Sequence, residues 1–379
     1  MDFSPTTEQK IVRKMVREFA VKEVEPLAAI IDEEARFPIE TFVKAGPIGL
    51  MGMPFPTEWG GAGADTLAYV TAIEEISRVC AATGGFLQTH VALCTWPIFT
   101  YGTEEQKKKY VPDLTSGKKL GAFGITEPNA GSDAAGIQTR AVDKGDHWLL
   151  NGSKIFISGG GTADVYVIVA MTDKSKGTHG LSTFLVEKDT PGFTAPKKEN
   201  KMGVRGCPVA ELVFDDVKLP KDALLGQAGR GFSIAMSAID FGRLGIGAQS
   251  LGLAQGAFDQ TVDYMKNRKQ FGRSLNKFQA LAFEMANMET RIDAARLLLY
   301  KAADLRQKGL PFAVEAAKAK LYCSETAMYV TTKAVHFHGG YGYMKDYPVE
   351  RMMRDAKITE IYEGTSEVMK MVISGAIFK

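Results

Sequence analysis

Three segments of this 379-residue chain gather the residue types that chemistry needs. Near the end, Arg354-Asp-Ala-Lys-Ile-Thr-Glu-Ile-Tyr-Glu363-Gly-Thr-Ser366 sets a carboxylate directly before a glycine, at what reads as a helix break. A carboxylate there fits two roles, an exposed helix cap or a general base. In Phe123-Gly-Ile-Thr-Glu-Pro-Asn-Ala-Gly-Ser-Asp133, hydroxyls, an acid and glycines cluster where a strand ends. Backbone N–H groups and the hydroxyls of Thr126 and Ser132 could converge there on a polar ligand, or the segment is a β-turn capped by its own side chains. Phe156-Ile-Ser158-Gly-Gly-Gly161 delivers an aromatic face and a hydroxyl, then stops at glycines. Those glycines either let something planar approach the backbone or make a flexible loop.

Other chemistries find no support. H-E-x-x-H, G-x-S-x-G, the phosphate-binding P-loop and the EF-hand loop are all missing from the sequence. Gly245-x-Gly247-x-x-Ser250 approaches a dinucleotide fingerprint but sits in a helical stretch with no strand before it, so helix packing explains it better. His336 and His338 are two apart, a spacing that points them to opposite sides of a helix, so no metal site is expected. Lys plus Arg (46) nearly balances Asp plus Glu (44), and a net charge of +2 provides no field to draw in nucleic acid or an anionic membrane. No apolar run reaches the roughly 18 residues of a membrane span. The opening Met-Asp-Phe-Ser lacks the pattern of a secretory or transit segment. Cys80, Cys94, Cys207 and Cys323 form no C-x-x-C pair and lie in apolar or helical surroundings. Reduced core thiols and a cytoplasmic protein are therefore expected.

The elements that must position these segments fall into three blocks. At roughly 150 residues per domain the length suits two or three domains. Up to residue 117 the chain reads helical: Thr6-x-x-Gln9 is a capping box, and Ile11, Met15 and Phe19 recur at four-residue steps as a core-facing stripe. A second helix is expected near 66 to 80, and Thr103 to Tyr110 reads as a solvated one. From 118 to 224 the pattern turns to short β-branched runs, at Leu120 to Ile125, His147 to Leu150, Lys154 to Ile157, Val165 to Met171, Leu181 to Glu187 and Glu211 to Val217. Asn151-Gly152 between two of them signals a hairpin. Strands without intervening helices predict an antiparallel barrel or sandwich. From 225 to 379 the helical period returns. Leu281, Met285, Met288, Ile292, Ala295 and Leu299 make a bundle seam, and Ala319, Cys323, Ala327, Val330 and Ala334 make a stripe that lets another helix come close.

Taken together the motifs resemble those of the acyl-CoA dehydrogenase family, along the whole chain and in the family's order. The matching stretches are Ile-Thr-Glu-Pro-Asn-Ala-Gly-Ser-Asp at 125 to 133, Asn-Gly-Ser-Lys-Ile-Phe-Ile-Ser at 151 to 158, Arg-Lys-Gln-Phe-Gly at 268 to 272, His-Gly-Gly-Tyr-Gly-Tyr at 338 to 343, and Arg-Asp-Ala-Lys-Ile at 354 to 358 followed by Ile-Tyr-Glu-Gly-Thr at 361 to 365. Within the family the chain looks most like the bacterial short-chain, butyryl-CoA type. The resemblance implies an α+β protein with an N-terminal helical domain, a middle β domain and a C-terminal four-helix domain. It further implies a homotetramer with one FAD per subunit, an acyl-CoA substrate and electron-transferring flavoprotein as redox partner.

The resemblance also implies roles. Glu363 would be the catalytic base that removes the proton beside the thioester carbonyl while a hydride leaves the next carbon for flavin N5. Thr126 and Ser158 would hydrogen-bond the flavin ring, Phe156 would pack on it, and Phe123 and Ile125 would stand among the cofactor contacts. Arg268, Gln270, Phe271, Gly339 and Gly340 would reach the FAD of a neighbouring subunit, and Thr365 would bind the FAD on the other side of the site. Ser132, Asp240, Arg243, Tyr362 and Gly364 would contact the substrate. His336 and Glu367 also belong to the FAD set but stand where glutamine is usual. Branched- and long-chain members carry the base just before Arg243; here that residue is Gly242, which supports Glu363. Ala81 to Thr100, which should line the acyl pocket, holds no Lys or Arg, so a neutral acyl chain is favoured over a dicarboxylic one. His90 and Cys94 in that stretch leave branched, cyclic or dicarboxylic substrates as the alternative. A flavin-free scaffold that lost the chemistry is a remote second.

Overall fold

Helix α1 (Thr7–Phe19) begins where the sequence places it: Thr6 Oγ1 accepts from the Gln9 backbone N–H (3.2 Å), and the Gln9 side chain accepts from Thr6 N–H (3.0 Å). The computed structural model describes residues 6–378, so the opening Met1–Ser4 stretch lies outside the described residues. The buried stripe is not the expected one. Ile11 and Met15 are 63% and 37% exposed, whereas Val16, Ala20 and Val24 are fully buried and Val12 and Phe19 partly so. A π-helical turn over Ala20–Val24 joins α1 to α2 (Glu25–Glu33). Helices α3 (Ile39–Ala45), α4 (Thr66–Ser77), α5 (Ala81–Gln88), α6 (Trp96–Tyr101) and α7 (Glu104–Thr115) complete this block. The charged α7 is solvated on one face only, since Gln106, Tyr110, Val111 and Leu114 are buried. Two buried acids anchor α4: Glu74 pairs with Arg296 (3.2 Å) and Arg13 (3.4 Å), and Glu75 with Arg13 (3.1 Å).

The middle block is a sheet ordered β6-β7-β3-β2-β4-β5-β8, with β1 on β4. The strands are β1 (Gly121–Gly124), β2 (Arg140–Asp143), β3 (His147–Ser158), β4 (Val165–Met171), β5 (Leu181–Glu187), β6 (Phe193–Thr194), β7 (Val209–Pro220) and β8 (Leu224–Leu225). Pairing is mixed rather than purely antiparallel, because β4 runs parallel to both β1 and β2. That central position explains why β4 reads as one continuous apolar run. The Asn151-Gly152 hairpin does not form. His147–Ser158 is a single strand, and Asn151 and Gly152 lie at a bulge opposite β7, where the Asn151 amide exchanges hydrogen bonds with Asp216 (2.9 and 3.0 Å). The chain turns instead at Lys144–Asp146, closed by Lys144 N–H to His147 C=O (2.9 Å).

The last block is built on three long helices, α8 (Gly231–Asn267), α9 (Gln279–Gln307) and α10 (Ala313–His338), with the short strands β9 (Lys269–Gln270) and β10 (Arg273–Ser274) between the first two. Met288, Ile292, Ala295 and Leu299 of α9 are buried as expected, with Leu281 and Met285 partly so; the whole small-residue stripe of α10 is buried too. Gly245, Gly247 and Ser250 all lie buried inside α8, as helix-packing residues should. Helices α11 (Val349–Lys357) and α12 (Ser366–Ile377) follow, separated by a break that carries Glu363. The four cysteines are buried and free. No helix among the described residues is long and apolar enough to cross a membrane.

Candidate active site

Between α11 and α12 the backbone leaves the helical region. Glu363 has φ 51° and Gly364 φ 105°, after which Thr365 caps α12 by accepting from Val368 N–H (3.2 Å). A left-handed glutamate costs on the order of 1 kcal/mol, so neighbours must hold it. Lys320 Nζ, from α10, donates to the Gly364 carbonyl (2.6 Å), and Arg243 Nε, from α8, to the Glu363 carbonyl (3.4 Å). The turn drives the Glu363 side chain inward, between α5 and α8.

There the carboxylate meets both helices. Gln88 Nε2, at the end of α5, donates to Oε1 (2.6 Å). Although the residue as a whole keeps some exposure, Oε2 is enclosed and has no partner among the described residues. It lies over Gly242, where any Cβ would come within 3.1 Å of the Glu363 carboxyl carbon and within 2.8 Å of Leu93. Burial pushes the Glu363 pKa up to about 7, against the opposing pull of the Gln88 hydrogen bond and the charges of Lys320 and Arg243. Burial likewise lowers Lys320 to about 8. Arg243 is itself buried and paired with Asp240 (2.7 Å). The Tyr362 hydroxyl donates to Gln249, whose Nε2 bonds the Ala81 carbonyl (2.8 Å), which ties this segment to α5.

The sheet supplies a second wall. Phe123 is buried in one apolar cluster with Leu93 and Ala238, which brings the end of β1 to the helices around Glu363. The Thr126 carbonyl accepts from Ile155 N–H (2.9 Å), and beneath it Lys154 Nζ bonds the Ile125 carbonyl (3.1 Å) and Glu127 (2.7 Å). Phe156, at φ 61° in the second bulge of β3, is turned out and 63% exposed. Ser158, the last residue of β3, pairs with Val209 of β7. Ser132 is exposed on the loop beyond Thr126.

A different group gathers elsewhere. Arg268, Gln270, His336, Gly339 and Gly340 line a recess of about 560 Å³, and a Cβ on either glycine would meet open space. Phe271 projects beside it, 92% exposed at φ 52°. Arg243 and Arg268 are 25 residues apart along one helix and its C-cap, about 38 Å. Thus Glu363, Asp240, Arg243, Tyr362 and Gly364 stand together beside the sheet residues, while the 268–271 and 336–340 groups do not join them within one chain. Glu367 lies exposed in the first turn of α12.

Three polar groups at the site were not singled out from sequence. Lys320 interrupts the buried face shared by Ala316, Cys323 and Ala327, and a lone charge on a small-residue stripe is a readable signal. Lys154 occupies the inward register of Trp148 and Leu150, again a charge where an apolar side chain is due. Gln88 carries no such mark.

Comparison with known proteins gives three matches along the chain: the acyl-CoA dehydrogenase N-terminal domain over residues 6–118, the middle domain over 122–217 and the C-terminal domain over 229–378. The short-chain specific acyl-CoA dehydrogenase of Clostridium acetobutylicum is 59% identical over the whole of both chains. The acryloyl-CoA reductase (NADH) of Anaerotignum propionicum is 50% identical, covering 100% of this chain and 96% of the other. Among solved structures, butyryl-CoA dehydrogenase from Megasphaera elsdenii superposes with a TM-score of 0.98 at 48% identity, and a chain from work on the electron transferring flavoprotein of Acidaminococcus fermentans and flavin-based electron bifurcation with 0.99 at 51% identity; each covers 100% of both chains.

Proposed function

The chain belongs to the acyl-CoA dehydrogenase family, and from that premise we propose that it is an FAD-dependent short-chain acyl-CoA dehydrogenase whose base is Glu363. The observation that carries this is the enclosed, unpartnered Oε2 of a carboxylate whose pKa is raised to about 7. Such an oxygen is poised to accept a proton from a weak carbon acid, because the protonated form costs little at neutral pH.

The residues present fit a flavin dinucleotide. Phe156 offers an aromatic face that is exposed despite a strained backbone; Ser158 ends the same strand, and the Thr126 carbonyl is tied to that strand at Ile155. Bound FAD would supply the acceptor for the hydride that leaves the β-carbon. On the opposite side of the substrate, Glu363 takes the α-proton, and its backbone N–H, aimed by the left-handed turn, donates to the thioester carbonyl and so acidifies that proton. Asp240 and Arg243 hold the CoA arm at the entrance, with Ser132 farther out. The apolar Leu93 beside Glu363 and the absence of Lys or Arg from 81–100 suit a short neutral acyl chain, a reading supported by the short-chain specificity in the names of the relatives.

Proton transfer at Glu363 runs equally well in reverse, and the acryloyl-CoA reductase relative supports an enoyl-CoA reductase direction for this chain also. Electron-transferring flavoprotein as partner is supported by the Acidaminococcus structure. Arg268, Gln270 and Phe271 lie at or beyond the far end of α8, and His336, Gly339 and Gly340 at the far end of α10, too far from Glu363 to reach a flavin held there by the same chain, and this favours an oligomer, a homotetramer in this reading, in which they hold the FAD of a neighbour. Residues 1–117, 118–224 and 225–379 are the three domains of this reading, and the buried free thiols accord with a cytoplasmic setting. Anaerobic addition of butyryl-CoA to the purified yellow protein tests the proposal. Bleaching of the flavin band is expected, and no bleaching with any saturated acyl-CoA would overturn it.

A further inference from the structure

We propose that Gln88 is the positioning residue for Glu363: its side-chain amide holds Oε1 and thereby assigns the proton transfer to Oε2. The inference rests on Glu363 being the base.

The hydrogen bonds fix which way the amide points. The Thr89 hydroxyl donates to the Gly85 carbonyl (3.0 Å), so toward Gln88 it can only accept. It accepts from Gln88 Nε2 (3.1 Å), which leaves the second amide hydrogen for Glu363 Oε1 (2.6 Å). With the nitrogen thus committed, Gln88 Oε1 is left buried and without a partner among the described residues. The side chain is also held in place: it is fully buried, and Gly245 of α8 is a glycine at the point where a Cβ would come within 2.8 Å of the Gln88 Cβ. Directly after Gln88 the helix widens into a π-helical stretch, Thr89–Thr95, a distortion that recurs at functional sites.

An amide that donates to one carboxylate oxygen stabilises the ionised form and leaves the other oxygen as the free acceptor. The remaining groups facing Glu363 are Tyr69 from α4, Arg243 from α8, itself paired with Asp240, Lys320 from α10 and Tyr362 on its own segment. None of these donates a side-chain hydrogen bond to the carboxylate, so among the described residues Gln88 alone fixes its rotation.

The test is rapid mixing of the FAD-loaded enzyme with butyryl-CoA under anaerobic conditions, from pH 6 to 9, following the flavin band. It compares wild type, Gln88→Met, which keeps the volume, and Gln88→Ala, which removes it. Loss of the donor raises the apparent pKa of the acidic limb by about 1–2 units. At pH 7 the variants then reduce flavin about 5- to 50-fold more slowly than wild type, and the ratio closes as pH rises. Taking the ratio at each pH cancels the titration of Lys320, which all three proteins share. A ratio that is unchanged by pH, or near 1 throughout, overturns the assignment of Gln88. Failure of the parent reading looks different: Glu363→Gln would then reduce flavin at the wild-type rate.

Discussion

Replacing Gly242 by alanine adds one methyl group at the most sensitive point of the site. The new Cβ would stand 3.1 Å from the Glu363 carboxyl carbon, 2.8 Å from Leu93 Cδ2 and closer still to Oε2. Helix α8 itself accepts alanine readily, and the gain in helix propensity is about 1 kcal/mol. The crowding must therefore be relieved by the flexible partner, and the carboxylate swings aside by on the order of 1 Å. A displacement of that size between reacting groups costs about 10²-fold in rate. Overpacking costs ~1–3 kcal/mol, which the propensity gain partly offsets, so the protein stays folded and yellow. Steady-state kinetics with butyryl-CoA, together with thermal melting and the flavin spectrum, measures all three. The expected result is a kcat lowered about 100-fold with KM, melting temperature and flavin content little changed. A kcat within about twofold of wild type would show that the Glu363 carboxylate does not work from the position over Gly242.

Further expectations follow from the same contacts. With Glu363 at about 7 and active as the carboxylate, kcat should rise with pH through that value and level off above it; a profile flat from pH 5.5 to 8 contradicts the base assignment. Lys154→Met leaves Glu127 buried without its cation, at ~3–5 kcal/mol, and frees the 125–127 loop; chemical denaturation should show the loss, and flavin should dissociate more readily on dilution. Lys320→Met strips the Gly364 carbonyl of its donor, at ~1–3 kcal/mol, and removes a cation near Glu363, so the acidic limb of kcat should move to higher pH; an unmoved limb assigns Lys320 to structure alone.

The helix–sheet–helix order was legible because hydrophobic period changes near residues 118 and 225, and long seams such as Met288 to Leu299 leave little ambiguity. Shorter signals were less secure. Ile11-Met15-Phe19 and Val12-Val16-Ala20-Val24 are adjacent stripes of one helix, and only the neighbouring α4 decides which one is buried. Asn151-Gly152 carries a strong local turn preference, yet pairing along the whole of β7 outweighs it and turns the two residues into a bulge. At the site, Glu363 stood out because a glycine follows it where a helix breaks. Gln88 did not, because its partner is 275 residues away and nothing local marks an amide that ends in a buried hydrogen bond. Lys154 and Lys320 lay between these cases, as charges on faces whose period demanded apolar side chains.

Removal of the α-proton by the Glu363 carboxylate is tested by anaerobic titration of Glu363→Gln with butyryl-CoA beside wild type. The amide keeps the shape but cannot take a proton. The variant should bind FAD and perturb its spectrum on adding butyryl-CoA, without bleaching, while wild type bleaches. Bleaching of the variant at a rate close to wild type would mean that another group takes the proton.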